Sequence, residues 1–242
     1  MPSYSGGKFY TSKDIYKAIK EQVKNKEVRG YIEPFCGGLN VIREFVDEYE
    51  CYAYDNNKDL IFLWNHIKEN DFDIMPVISK EYFDELKKSN ELSVDKSFAM
   101  LFCVYNCIQY RGYVNNHYVN KKTTKISRTH NIRYNGIKKV EQHIKKINFK
   151  CQDYKHTTEQ VQDGGFIIYC DPPYTDTTQA YSTKKFNAEE FWNTVLLWKY
   201  LGNYIFVSEK VCPVDNTCIF EKNINISMTR GDKKMTDKLF MI

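Results

Sequence analysis

The chain has 242 residues and a formal net charge of +4, with 42% hydrophobic and 27% charged residues. This composition indicates one α/β domain with room for an insertion and excludes a disordered chain. The chain start has no apolar leader, and no run approaches the roughly 18 apolar residues of a membrane span, so we expect a cytoplasmic protein, in a bacterium or in the host cell of a phage or virus. The eight cysteines have neither CxxC nor zinc-site spacing, so we expect free thiols and no metal site.

Apolar periodicity predicts alternating helices and strands over the first 70 residues. The helices are predicted for residues 11–24, 41–46 and 60–67, and the strands for residues 29–33 and 51–55. Thr11 or Ser12 can cap the first helix. A glycine turn at Gly37 and Gly38 follows the first strand, and the second strand ends in a carboxylate, Asp55.

The alternation lapses between residues 71 and 146, where helical stretches such as 97–105 and a basic polar section indicate an inserted lobe. Beyond it, strands are predicted for residues 147–153, 166–170 and 204–208, a helix for 188–201, and closing antiparallel strands for 218–222 and 238–242. Asn187 and Glu190 have capping-box spacing, and Gly202 suits the position after the helix. We therefore predict a doubly wound, Rossmann-like α/β domain formed by residues 1–70 and 147–242 and interrupted by a mostly helical lobe at 71–146.

Basic residues are concentrated in one stretch. Residues 121–150 contain ten Lys or Arg and a single acid, Glu141, so this segment carries +9 and the remainder of the chain −5. A solvated basic face would explain this pattern, but its concentration favours a phosphate-binding surface.

The first two strand ends predict a nucleoside site. In a doubly wound sheet, ligands bind beyond the carboxyl ends of the strands, where the strand order reverses. Gly37 and Gly38 let the backbone approach a ligand closely, and Asp55 follows at the spacing of an acid that binds ribose hydroxyls. The chain has neither GxGxxG nor GxxxxGK[ST], which favours a nucleoside cofactor without a pyrophosphate.

The strongest motif is the sequence from Asp171 to Tyr174, Asp-Pro-Pro-Tyr, which follows an apolar strand. Two prolines make a rigid extended turn that presents Asp171 and the carbonyl of Pro172 to the cleft. Two acceptors on an exocyclic amine such as adenine N6 would stabilise the positive charge that develops when the amine attacks a methyl group. Tyr174 would stack on a flipped base, which is worth roughly 1 to 3 kcal/mol. A proline turn with an ordinary surface tyrosine would be the structural alternative.

Seven segments in this order resemble the Dam-type DNA adenine methyltransferases, the alpha group with a DPPY motif. The segments are YSGGK (4–8), EPFCGGLNV (33–41), YDNNKDLI (54–61), FKCQDY (149–154), YCDPPY (169–174), FVSE (206–209) and DKLF (237–240). The resemblance covers nearly the whole chain. It implies transfer of a methyl group from S-adenosylmethionine to N6 of an adenine flipped out of double-stranded DNA, with S-adenosylhomocysteine as product and without a metal.

The resemblance also implies roles for individual residues. Tyr4 and Lys8 would border the cofactor, and Phe35, Cys36 and Gly37 would contact its methionine part. Asp55 would bind its ribose, and Asp153 and Tyr154 would hold its adenine. Asp171 would border the cofactor and, with Pro172 and Tyr174, hold the target base.

The middle of the chain departs from the family pattern. Residues 110–120 stand where GATC-methylating members carry an asparagine-glycine and arginine-containing stretch, so the recognised DNA sequence stays open. Arg111, Asn115, Asn116 and Arg128 are candidates to read base edges or to bind phosphate. Further candidate DNA contacts are Lys121, Lys122 and Arg133, together with Arg230 in a loop that resembles a DNA-proximal loop of the family.

Three other functions stay open at this point. Cytosine N4 presents the same kind of amine, although its enzymes more often have Ser before the two prolines. A DNA-binding protein on a decayed methyltransferase scaffold is disfavoured by the intact Gly37, Asp55 and DPPY. RNA methylation is disfavoured by the motif order. We expect DNA as partner, no membrane and no obligate protein partner.

Overall fold

The computed structural model describes residues 8–70, 80–98, 137–173, 186–228 and 231–242. Its strands form one seven-stranded sheet. They are β1 (Gly30–Glu33), β2 (Cys51–Asp55), β3 (Ile147–Cys151), β4 (Phe166–Cys170), β5 (Tyr204–Ser208), β6 (Thr217–Met228) and β7 (Gly231–Met241). The strand order across the sheet is β3-β2-β1-β4-β5-β7-β6.

Helices connect these strands. In the described residues they are α1 (Ser12–Val23), α2 (Lys58–Glu69), α3 (Lys80–Lys88), α4 (Val94–Phe98), α5 (Glu141–Ile144), α6 (Thr157–Gln160) and α7 (Ala188–Tyr200), with 3-10 turns at Ile42–Glu44 and Tyr154–His156. Across those same ranges, none of the helices combines the length and apolar character of a membrane-crossing segment.

The strand order reverses at β1, which pairs in parallel with β2 on one side and with β4 on the other. The carboxyl ends of β1, β2 and β4 therefore meet at one edge of the sheet, which confirms the predicted doubly wound fold. β7 runs antiparallel to both β5 and β6 and lies between them.

The sheet is buried on both faces. Tyr31 of β1 packs in a cluster around Trp64 and Phe45, whereas the next residue, Ile32, packs in a second cluster around Trp198. Because successive side chains of a strand point to opposite faces, a doubly covered sheet has continuous apolar strands. All five residues of β4 are buried for this reason.

The structure confirms several predicted elements and corrects others. β2, β4 and β5 have the predicted bounds, and Asn187 caps α7 by accepting a hydrogen bond from the Glu190 N–H. Thr11 precedes α1 but makes no capping hydrogen bond through its side chain, and its hydroxyl donates to Asp237. The predicted closing strands at 218–222 and 238–242 do pair, but within a much longer hairpin.

The predicted helix at 41–46 is wrong. Only a 3-10 turn forms at Ile42–Glu44. The preceding backbone enters the left-handed region at Gly37, with φ 43°, and again at Leu39, with φ 58°. From Val41 the backbone is right-handed, but the Glu44 and Phe45 N–H groups donate to the carbonyls of Val41 and Ile42, three residues back, which makes a 3-10 turn and not an α-helix.

The described parts of the predicted lobe at 71–146 pack on the main domain. Leu86, Ile137, Val140 and Ile144 belong to the same core cluster as Trp64. The predicted helix at 97–105 is described only to Phe98, the last described residue of α4, and the remainder lies outside the described residues. The division into a domain and a recognition lobe stays a prediction.

Candidate active site

The glycine turn after β1 is tied to the two elements beside it. The Cys36 N–H donates to the Tyr54 carbonyl at 2.9 Å, and the Gly37 carbonyl accepts from the Trp64 indole at 3.1 Å. Gly37 adopts a positive φ that side chains disfavour, so the turn requires glycine here. These bonds fix the turn against β2 and α2.

Asp55, at the carboxyl end of β2, faces this turn. Its Oδ2 accepts from the Gly37 N–H at 3.2 Å and its Oδ1 from the Asn57 N–H at 3.0 Å. Burial raises the pKa of Asp55, and the N–H groups of Asn57, Gly37 and Asn56 oppose that rise. A carboxylate offers about four lone-pair sites, so these backbone partners leave acceptor capacity for a ligand hydroxyl.

An aromatic wall stands beside the turn. The Phe35 ring lies 5.2 Å from the Tyr154 ring and 5.7 Å from the Phe191 ring, measured between centroids. Burial raises the pKa of Tyr154 to about 12, so its phenol is neutral. Asp153 precedes Tyr154 and its Oδ1 accepts from the Lys155 N–H at 3.1 Å, which leaves Oδ2 for a ligand.

Asp171 follows β4 at the same edge of the sheet. Its Oδ1 lies 3.0 Å from Lys8 Nζ, and Lys8 Nζ also lies 3.7 Å from Asp237 Oδ1. The next residue, Pro172, is buried, whereas Pro173 is exposed. Burial raises the pKa of Asp171, the Lys8 ammonium lowers it and the Asp237 carboxylate raises it.

A second buried acid lies near Asp171. Glu33 of β1 is 3% exposed and its carboxyl accepts from the Tyr31 hydroxyl at 2.8 Å. Burial holds the pKa of Glu33 well above its usual range, and the charge of Asp171 raises it further.

The structure brings together those predicted site residues that it describes. Around the carboxyl ends of β1 to β4 lie Lys8, Phe35, Cys36, Gly37, Asp55, Asp153, Tyr154, Asp171 and Pro172. Cys36 is 4% exposed, and burial holds the pKa of its thiol well above the usual range, which disfavours the thiolate form. The remaining predicted site residues lie outside the described residues: Tyr4, Arg111, Asn115, Asn116, Lys121, Lys122, Arg128, Arg133, Tyr174 and Arg230.

Sequence reasoning did not assign Asp237 to the site. Its position in the matched DKLF segment was the available signal, but nothing in the local pattern indicated that its carboxylate faces Lys8. In the ranges that the structure covers, no group of three or more His, Cys, Asp or Glu side chains is arranged to hold a metal ion.

The strand order and the acids at the ends of β2 and β4 define the class of this protein, a Rossmann-like methyltransferase. The model of one family, D12 class N6 adenine-specific DNA methyltransferase, matches residues 4–201. The chain belongs to this family, and its activity is methylation of adenine N6 in DNA. This decides between the amines of adenine and cytosine that the DPPY motif alone left open.

Two named proteins are similar to the chain over most of its length. The type II methyltransferase M.MjaIII of Methanocaldococcus jannaschii is 26% identical in an alignment of 222 positions, gaps included, that covers 77% of this chain and 74% of that protein. A DNA adenine methylase of Haemophilus influenzae is 24% identical in an alignment of 253 positions, gaps included, that covers 98% of this chain and 81% of that protein. Among solved structures, the precorrin 8W decarboxylase of Methanobacterium thermoautotrophicum aligns with a TM-score of 0.41 at 10% identity, over 94% of this chain and 88% of that chain.

Proposed function

We propose that Asp171 and the main-chain carbonyl of Pro172 receive the N6 amino group of a flipped adenine, with S-adenosylmethionine as the methyl donor. The observation that carries this proposal is the position of Asp171, which lies at the end of β4 beside the reversal of strand order with 20% of its side chain exposed. A group in this position can face both a cofactor and a base.

The described residues fit a nucleoside cofactor. The Asp55 carboxylate keeps acceptor capacity for a ribose hydroxyl beside its backbone partners. Asp153 has an oxygen left to accept from an adenine amine, and the rings of Phe35 and Tyr154 offer apolar surface beside it. When bound, S-adenosylmethionine supplies a methyl group activated by a positively charged sulfur.

The protein must make the adenine amine a better nucleophile. The nitrogen lone pair of an aromatic amine is delocalised into the ring. Acceptors at Asp171 and Pro172 would bind its two N–H groups, favour a more tetrahedral nitrogen and stabilise the charge that moves onto N6. These groups are fixed before the reaction, since Pro172 is buried and rigid and Asp171 is paired with Lys8.

DNA contacts are proposed for the basic segment at 121–150 and for Arg230. Five of its ten basic residues, Lys138, Lys139, Lys145, Lys146 and Lys150, are described. Lys138 pairs with Glu141 at 3.1 Å, and Lys146 pairs with Asp47 at 2.5 Å. These two charges are partly used within the protein, so we propose that phosphate binding relies mainly on the residues from Lys121 to Arg133.

The test of the proposed function is Asp171→Ala. We expect turnover to fall by about 100-fold or more, because the variant lacks an acceptor for the developing charge. DNA affinity should stay within about threefold, since the phosphate contacts lie elsewhere. Turnover is measured by quantifying N6-methyladenine in digested product DNA, and DNA affinity is measured by fluorescence anisotropy.

The matched control is Asp163→Ala, which removes a carboxylate that is 83% exposed and distant from the carboxyl end of β4. It should retain turnover. Wild-type turnover by Asp171→Ala would refute the proposed role of Asp171.

A further inference from the structure

The Lys8 ammonium lies between two carboxylates. Its Nζ is 3.0 Å from Asp171 and 3.7 Å from Asp237, and the side chains of Lys8 and Asp237 are each 3% exposed. With all three groups ionised, the cluster carries a net charge of −1. Asp171 alone among the three has an appreciable opening to the cleft.

Asp237 is fixed from a second direction. Its Oδ2 accepts a hydrogen bond of 3.0 Å from the Thr11 hydroxyl, so Oδ1 is directed to Lys8. Thr11 precedes α1 and Asp237 lies on β7, 226 residues away in sequence. Two distant segments therefore converge behind the Lys8–Asp171 pair.

The second carboxylate changes the electrostatics of methyl transfer. If Lys8 faced Asp171 alone, its ammonium would cancel the negative charge of the Asp171 carboxylate at the point where N6 becomes positive. A second carboxylate behind the ammonium restores the negative charge, and it does so in a buried site where charges are weakly screened.

We propose that Asp237 is a positioning residue for methyl transfer, which holds Lys8 in place and offsets its charge so that Asp171 can stabilise the cationic amine. The inference rests on the proposed role of Asp171. It extends the site to the closing hairpin, beyond residues 4–201 that the family model matches.

A pH dependence follows from the groups around Asp171. They are Lys8 from the N-terminal segment, Asp237 from β7, Glu33 from β1 and Glu209 after β5. The Asp237 charge raises the pKa of Asp171, so its removal should lower that pKa. Transfer requires ionised Asp171, and the rate falls as the pH falls through this pKa. Without the Asp237 charge, the acid limb of the rate profile should therefore move to lower pH.

The test is Asp237→Asn, which keeps the shape and an acceptor for Thr11 but removes the charge. We expect kcat at the optimum to fall by about tenfold or more, with KM for S-adenosylmethionine and Kd for DNA within about threefold of wild type. The acid limb should move to lower pH. Titration of the Asp171 carboxyl by 13C NMR in the free protein, assigned with Asp171→Asn, should move in the same direction.

Asp14→Asn is the matched control, because Asp14 pairs with Lys222 at 2.7 Å and also links α1 to the hairpin, but through an exposed contact. It should retain the wild-type kcat and acid limb. Wild-type kcat in Asp237→Asn would overturn the inference. A lower kcat would also overturn the inference if the acid limb of the pH-rate profile and the pKa of Asp171 both stay as in wild type. Asp237 would then act only by holding the fold together.

Thr11→Val provides the test if Asp237→Asn does not fold. It removes only the hydroxyl that holds Asp237 and should lower kcat by about two- to fivefold, and wild-type kcat would overturn the inference. Turnover by Asp171→Ala would instead refute the proposed function itself, so the two failures are distinguishable.

Discussion

Asp55 has two roles that one substitution can separate. It holds the glycine turn through the N–H groups of Gly37 and Asn57, and its remaining lone pairs are proposed to bind ribose. In Asp55→Asn the amide NH2 must face one of these donors. We expect Kd for S-adenosylmethionine to rise by about tenfold or more and the free energy of unfolding to fall by about 1 to 3 kcal/mol.

Calorimetric titration and urea denaturation measure these two effects. Asp163→Asn, at an exposed position, should change neither. If the Asp55→Asn protein is destabilised but still binds S-adenosylmethionine as tightly as wild type, the proposed contact with ribose is wrong and Asp55 only holds the glycine turn.

Individual site residues could be predicted from sequence only where a local motif marks a strand end. Asp55 and Asp171 each follow an apolar strand, so their positions in the cleft could be inferred. Asp237 lies within a polar strand, and the partners that bury it, Lys8 and Thr11, belong to the opposite end of the chain. No local pattern encodes such a contact.

At the scale of elements, Asn203 joins α7, β4 and the segment after α6. Its Oδ1 accepts from the Phe166 N–H at 3.1 Å, and its Nδ2 donates to the carbonyls of Val161 and Trp198 at 3.0 and 2.9 Å. The residue is 6% exposed. Asn203→Ala should lower the free energy of unfolding by about 2 kcal/mol or more, because the Phe166 N–H is left without this acceptor in a buried position.

Urea denaturation followed by circular dichroism measures the change. Asn193→Ala, at an exposed position of α7, should be neutral or slightly stabilising because alanine favours helix. Equal stability of both variants would contradict the bridging role of Asn203.

The buried strands were predicted with their bounds, and the full length of the hairpin was not. β2, β4 and β5 are short runs rich in apolar residues between clear breaks, and their bounds agree with the prediction. β6 and β7 extend far beyond the predicted ends, through the sequence from Lys222 to Lys238. The second half of β6 does alternate polar and apolar residues, with Ile224, Ile226 and Met228 at every second position, and the prediction missed this pattern. The false helix at 41–46 had helical spacing, but its backbone forms hydrogen bonds to the carbonyl three residues back, and apolar spacing does not distinguish this 3-10 turn from an α-helix.

At the scale of the whole molecule, charge is divided between a basic segment and an acidic remainder. Replacing Lys121, Lys122 and Lys125 by Gln should lower DNA affinity and reduce the slope of log K against log salt, by about 0.9 for each phosphate that the variant no longer neutralises. Binding titrations by anisotropy at several salt concentrations measure the slope.

The control for this prediction makes the same change in charge elsewhere. Lys13, Lys17 and Lys24 are exposed on or beside α1 and outside the basic segment, and their replacement by Gln should leave the slope nearly unchanged. Equal effects of the two triple variants would mean that DNA affinity depends on the total charge of the protein and not on this segment.

The position of β7 between β5 and β6 has a consequence for biosynthesis. β7 follows every other strand in the sequence, yet it is an interior strand, and it carries Asp237. A nascent chain that has made β1 to β6 can already contain the cofactor turn, Asp55 and Asp171, but β6 cannot join the sheet and Lys8 lacks its second carboxylate. The finished charge arrangement around Asp171 is therefore available only after translation has passed Asp237, which delays full activity until the closing strand has been inserted.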